Sequence, residues 1–126
     1  MAGETILIVD DERSIQRILE FNLRKAGYET RLAEDGLQAM ARMREAKPDL
    51  VVLDVMMPNM DGYEVCREIR SDTDLRDVLV VLLTARGQEI DRDKGVEVGA
   101  DVYATKPFSP RILLQTIRDL LDTRSQ

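Results

Sequence analysis

Five residues stand where short apolar runs end: Asp10 and Asp11 after Ile6-Leu7-Ile8-Val9, Asp54 after Leu50-Val51-Val52-Leu53, Thr84 after Val78 to Leu83, and Lys106 near the end of a weaker run, just before Pro107. Three carboxylates, a hydroxyl and an ammonium can together handle a phosphoryl group. Two ionised carboxylates about 4 Å apart repel by about 4 kcal/mol at an effective dielectric of about 20, so the cluster calls for a cation. Oxygen donors select a hard ion, and a few carboxylates completed by water suit Mg²⁺ better than a calcium cage. A carboxylate beside that ion can attack phosphorus, while Lys106 and the Thr84 hydroxyl stabilise charge on the transferring oxygens. The expected product is an aspartyl phosphate.

This chemistry requires that distant runs end at one place. The three strong runs are short, continuous and rich in β-branched residues, which fits strands buried on both faces. Between them lie stretches of helical spacing: Ile15, Ile18, Leu19, Leu23 and Ala26 in the first, and Val65, Cys66 and Ile69 in the third. The last is the clearest, with Leu113, Leu114, Ile117, Leu120 and Leu121 on one face, Ser109 as cap and Pro110 at the first helical position. Two weaker strands, Tyr28 to Ala33 and Asp101 to Thr105, follow turn signals at Gly27 and Gly99, and their interleaved polar residues place them at sheet edges. A fourth helix is expected between Gln88 and Val98 on Ile90, Val96 and Val98, with a solvated charged face from Gln88 to Lys94 that could serve as a partner surface. Five strands alternating with five helices predict an α/β domain, a parallel sheet with helices on both faces. Ligands in such a sheet bind outside the strands' carboxyl ends where the strand order reverses, which brings the five residues to one rim.

Composition narrows the field further. The 126 residues suit one domain, here taken as 1–126 with no output domain. With no histidine, the chain can form neither a Ser-His-Asp triad nor a His-ligated zinc site, and it cannot carry phosphohistidine itself. A single cysteine, Cys66, excludes an internal disulfide and reads as a small core residue. A net charge of -6 argues against a direct nucleic-acid surface. The start lacks a basic n-region and no apolar run approaches a bilayer span, so a cytoplasmic protein without membrane attachment is expected.

The segments Ile8-Val9-Asp10-Asp11-Glu12, Leu53-Asp54-Val55-Met56-Met57-Pro58-Asn59-Met60-Asp61-Gly62, Leu83-Thr84-Ala85 and Thr105-Lys106-Pro107-Phe108 resemble, in order and spacing, the receiver domains of two-component response regulators, including the chemotaxis type. The resemblance runs from about Thr5 to Leu121. It implies a flavodoxin-like (βα)5 fold with strand order 2-1-3-4-5. It also implies that Asp54 accepts the phosphoryl group, that Asp11 ligates Mg²⁺ directly with Asp10 assisting through water, and that the backbone carbonyl of Met56 is a further ligand. Thr84 and Lys106 would bind phosphoryl oxygens, and the Lys106-Pro107 bond would be cis. Thr84 and Tyr103 would act as the switch that alters the surface of the fourth helix, fifth strand and fifth helix. Such a protein is a signalling phosphoacceptor that catalyses only its own phosphorylation and slow dephosphorylation. The implied partners are a sensor histidine kinase or histidine phosphotransfer protein and a downstream target.

Rival readings fit less well. Haloacid-dehalogenase-like phosphatases place an acid-base Asp two residues after the nucleophile, where this chain has Met56, so the leaving group would lack a proton donor. A flavodoxin would place a phosphate beside Asp10-Asp11-Glu12, which would repel it, and no Gly-x-x-x-x-Gly-Lys-Ser/Thr loop exists. Asn59 to Glu68 copies part of a calcium loop but lacks its first carboxylate, and Asp61 reads instead as the start of the third helix.

Within the resemblance, Ile112, Thr116 and Val102 stand where charged dimers of DNA-binding regulators carry acidic or basic residues, leaving Arg92 and Asp101 without their usual partners. A monomer, or at most a weak phosphorylation-dependent dimer, is therefore expected. Met56 and Arg86 occupy positions that tune hydrolysis, and neither can orient a water, which predicts slow self-dephosphorylation. A stand-alone receiver is expected from the start at Met1 and an end past the last helix; a receiver cut from a larger DNA-binding regulator or hybrid kinase is the alternative.

Overall fold

The computed structural model describes residues 3–84 and 98–125. In chain order the elements are β1 (Thr5–Val9), α1 (Arg13–Lys25), β2 (Glu29–Ala33), α2 (Gly36–Glu45), β3 (Leu50–Asp54), α3 (Gly62–Ser71), β4 (Leu79–Thr84), β5 (Val102–Thr105) and α4 (Pro110–Ser125). The helix predicted between Gln88 and Val98 lies outside the described residues except for Val98 itself, as do its charged face, Arg86 and Arg92. No helix among the described residues is long and apolar enough to cross a membrane.

All strand pairs are parallel and the order is β2-β1-β3-β4-β5, so the two strands with polar interleaving are the edges, as predicted. Every residue of β3 is buried, as are the last four of β1 and the last five of β4, because helices cover both faces. Side chains alternate between two cores. Leu7, Val9, Val51, Leu53, Val80 and Leu82 pack with Met40, Met43, Val65, Cys66 and Ile69 of α2 and α3. Ile6, Ile8, Leu50, Val52, Val81 and Leu83 pack with Leu19, Leu23, Leu113, Ile117 and Leu121 of α1 and α4.

Local chemistry sets the helix ends. Asp35 caps α2 by accepting from Gln38 N at 2.8 Å, and Asp61 caps α3 by accepting from Glu64 N at 2.9 Å. The Ser109 hydroxyl accepts from Ile112 N at 3.3 Å, with Pro110 opening α4. Gly27, at φ 100°, takes the left-handed conformation just after α1 that lets the chain turn into β2. The sequence places β2 one residue earlier, at Tyr28, and β5 at Asp101; each strand starts later because pairing begins at Glu29 and Val102. Cys66 is a core residue: its Sγ donates to Val98 O at 3.2 Å, and burial pushes the thiol up to about 11.

Candidate functional site

Register brings the strand ends level. Val9 pairs with Ala33 and Leu53, Leu53 with Leu82, and Thr84 with Thr105, so Asp10, Asp54, Thr84 and Lys106 meet on one rim. Asp10 and Asp54 flank the β1–β3 junction, where the strand order reverses.

Two turns of the same kind aim the carboxylates. Asp10 Oδ1 accepts from Glu12 N at 2.9 Å and Asp54 Oδ1 from Met56 N at 3.3 Å, each residue bonding the backbone two positions on. This leaves each Oδ2 facing Lys106, whose Nζ lies 2.8 Å from Asp10 Oδ2 and 3.5 Å from Asp54 Oδ2. The same ammonium lies 3.4 Å from Glu12 Oε1. Lys106 is held by its backbone N–H, which donates to Thr84 O at 2.6 Å, and the Lys106-Pro107 peptide bond is cis.

Glycine sets the depth of Asp54. A Cβ on Gly62 would lie 2.5 Å from Asp54 O and 2.9 Å from Val55 Cα, both backbone atoms, so only glycine lets α3 start this close to the end of β3. The Gly62 N–H donates to Val55 O at 2.9 Å and ties the same contact.

Asp10 is fully buried and Asp54 is 4% exposed, and carboxylates so placed resist ionisation. Burial, aided by the charge of Asp10, pushes Asp54 up to about 6 against the pull of Lys106 and the Met56 N–H. Burial also raises Asp10, opposed by Lys106. Burial alone would lower Lys106, but the contact and charge of Asp10, followed by the charges of Asp54 and Glu12, outweigh it and leave the ammonium raised. Lys106 is thus a firm cation facing an excess of acid.

That excess fits a hard dication. Carboxylate oxygens of Asp10, Asp11 and Glu12 all lie within 4.8 Å of one another. Asp10 Oδ2 and Thr84 Oγ1 are buried without a hydrogen-bond partner among the described residues, although the former has Lys106 as a counter-charge. Buried polar atoms left this way mark a place for a ligand.

The structure brings Asp10, Asp54, Thr84 and Lys106 together, with Asp11 exposed beside them. Met56 lies on the outer lip, 56% exposed, and Tyr103 on β5 is half-buried against the core shared with α2 and α3. Two contributors are absent from the candidates read in the sequence. Glu12 joins the acid group, and its place directly after Asp10-Asp11 is the available signal. Gln16 is buried, and its Nε2 donates to Asp10 O at 2.6 Å; nothing in the sequence separates it from an ordinary surface glutamine.

Comparison with known proteins agrees with this geometry. Residues 6–118 match the response regulator receiver domain family. The chain is 52% identical over 118 residues to the probable transcriptional regulator ycf27 of Porphyra purpurea, covering 94% of this chain and 47% of that protein. It is 46% identical over 119 residues to the alkaline phosphatase synthesis transcriptional regulatory protein PhoP of Bacillus subtilis, covering 94% of this chain and 49% of that one. The chain thus spans about half the length of the curated relatives it matches. Among solved structures, a response regulator from Chloroflexus aurantiacus superposes with a TM-score of 0.90 at 36% identity, covering 95% of this chain and 98% of that one. The chemotaxis response regulator CheY4 of Vibrio cholerae does so with 0.87 at 33% identity, covering 94% and 98%. With the strand order, the acid cluster and these matches in agreement, the chain belongs to the receiver domain family of two-component response regulators.

Proposed function

We propose that Asp54 accepts a phosphoryl group from the phosphohistidine of a sensor kinase or histidine phosphotransfer protein, and that the domain signals through the changed surface around β5 and α4. The observation that carries this reading is one ammonium shared by the Oδ2 atoms of two buried carboxylates, beside a buried hydroxyl with no partner among the described residues. An Asp54 oxygen attacks phosphorus, an O–P bond forms as the P–N bond breaks, and the electron pair leaves with the imidazole nitrogen, which takes up a proton. Lys106 pairs with the carboxylate before transfer and with a phosphoryl oxygen after it. The Thr84 hydroxyl donates to a second oxygen and moves toward it, and Tyr103 follows inward on β5.

Asp11, Asp10 through water, Asp54 and the Met56 carbonyl would hold Mg²⁺, with Glu12 adding charge beside them. The ion, when bound, neutralises the acid excess and draws charge from the phosphoryl oxygens. On this reading the protein is a cytoplasmic phosphoacceptor, not a turnover enzyme, and it binds no nucleic acid itself. Incubation with acetyl phosphate and Mg²⁺ followed by intact-mass measurement tests it. One added phosphoryl group is expected in the wild type, and none in Asp54→Asn or with EDTA. Turnover of many equivalents of a phosphate ester would instead support a phosphatase.

A second reading rests on the relatives, which are named transcriptional regulators and are about twice as long. The domain would then govern a DNA-binding half of a larger regulator. The coding sequence beyond residue 126 distinguishes that case from a stand-alone receiver.

A further inference from the structure

Gln16 stands in the first turns of α1 with its side chain turned away from solvent, 8% exposed. Its Nε2 donates to Asp10 O at 2.6 Å and reaches Ala33 O at 3.4 Å. Asp10 N donates to that same Ala33 carbonyl at 3.2 Å, and Gln16 N donates to Glu12 O at 3.1 Å. One residue therefore grips the acidic turn at both ends, by its amide group at Asp10 and by its backbone at Glu12, and anchors it to the end of β2. Glu12, at the start of α1, makes no side-chain cap bond, so no capping side chain shares this task.

The grip bears on the donor atoms. Fixing the Asp10 carbonyl fixes the peptide that joins Asp10 to Asp11, and with it the directions in which both side chains leave the backbone. The Asp10 Oδ1 bond to Glu12 N then sets the rotamer that aims Oδ2 at Lys106. Removing the amide would take the side-chain donor from the buried Asp10 carbonyl, leave Ala33 O with the Asp10 N–H alone, and free the turn to rotate its carboxylates apart, which is what their mutual repulsion favours.

We propose that Gln16 is a positioning residue for the divalent-cation site, holding the Asp10-Asp11-Glu12 turn in the shape that binds Mg²⁺ through its Nε2 bonds to the Asp10 and Ala33 carbonyls. The proposal rests on the reading of this rim as a Mg²⁺ site and adds a residue that touches neither the ion nor the phosphoryl group. Groups of this kind typically set metal affinity by about 10- to 100-fold.

The test is calorimetric titration of the metal-free full chain with MgCl₂, without any phosphodonor, on wild type, Gln16→Met and Gln16→His at pH 8. Methionine keeps length and removes the donor; neutral histidine returns an N–H. Gln16→Met is expected to weaken Mg²⁺ binding about 10-fold, with Gln16→His recovering part of the loss. With acetyl phosphate, the Mg²⁺ concentration giving half-maximal phosphorylation should rise by the same factor while the plateau rate is kept. A Gln16→Met protein that melts lower in EDTA but binds Mg²⁺ like the wild type overturns the proposal, as does one unchanged in both. Absence of Mg²⁺ binding by the wild type overturns the site reading itself, and this proposal with it. Should Gln16→Met fail to fold, NMR of the wild type decides. The Gln16 side-chain amide resonances should shift with the same midpoint as the Asp10 and Asp11 amides, and resonances that stay still during the titration would refute the role.

Discussion

Arg70 and Asp101 are bonded to each other within the chain, Nη2 to Oδ2 at 2.9 Å, and each also holds backbone that the other positions. Arg70 donates from Nε to Gly99 O at 2.9 Å and from Nη1 to Val78 O at 2.6 Å and Arg76 O at 2.9 Å, while Asp101 Oδ2 accepts from Val80 N at 2.8 Å. The end of α3, the start of β4 and the start of β5 are thereby fastened at one point. Arg70→Ala should destabilise the fold by about 2 kcal/mol, the modest size reflecting partial exposure. Arg70→Lys should recover less than half, since an ammonium lacks the planar fork. Urea unfolding followed by circular dichroism checks both, there being no tryptophan to report.

That bond also bears on assembly. With the Asp101 carboxylate already engaged by its own chain and Thr116 in place of a basic residue, a symmetric dimer through charged pairs at β5 and α4 is not expected on phosphorylation. Sedimentation with a phosphate mimic should give a monomer or a weak dimer. A tight symmetric dimer through Asp101 would sink the idea.

The titration of Asp54 sets a pH dependence. Its carboxyl is raised from 3.8 to about 6 in the folded protein, so the fold binds this proton more tightly than the unfolded chain does. The associated stability is fully present below about pH 4 and is lost as pH rises through about 6. Asp54→Asn should therefore be more stable than wild type in EDTA at pH 7.5, by up to about 3 kcal/mol, with the difference vanishing near pH 4. Mg²⁺ should narrow the gap at pH 7.5 by binding the folded wild type.

Gly62→Ala should cost about 3 kcal/mol, because the new Cβ meets the backbone of Asp54 and Val55 and neither can yield without moving β3. The same displacement shifts the Asp54 carboxylate, so the fraction that still folds should phosphorylate more slowly with acetyl phosphate. Normal phosphorylation with normal stability would show that α3 can back away.

Met56 lies exposed on the lip of the site and offers neither an acid nor an amide to orient water. Phosphorylated wild type should therefore decay slowly, and Met56→Asn should shorten the lifetime several-fold by supplying a group that can bind the attacking water. Following the phosphorylated mass over time measures it; equal or slower decay in the variant would count against the explanation.

Much of this site is legible in the sequence because of how its strands are buried. β1, β3 and β4 lie under helices on both sides, so Ile6 to Val9, Leu50 to Leu53 and Val78 to Leu83 are unbroken apolar runs whose ends point directly at Asp10, Asp54 and Thr84. Edge strands β2 and β5 blur at their first residues because only part of each is covered. Gln16 and Arg70 are illegible for another reason: both occupy helices where polar residues are normal, and their partners are mostly backbone carbonyls, some as far as 17 and 29 residues away, which leave no signature in the sequence. Glu12 falls between, adjacent to the visible pair of acids, its part in the cluster decided by the turn that folds it back over Asp10.

Lys106 reaches Glu12 across 94 residues of chain, from a strand at the far edge of the sheet. Protein synthesis makes the acids at positions 10 to 12 well before their ammonium. The rim is therefore completed only when β5 joins β4: until then the acids of the first turn lack the lysine counter-charge that the folded sheet gives them.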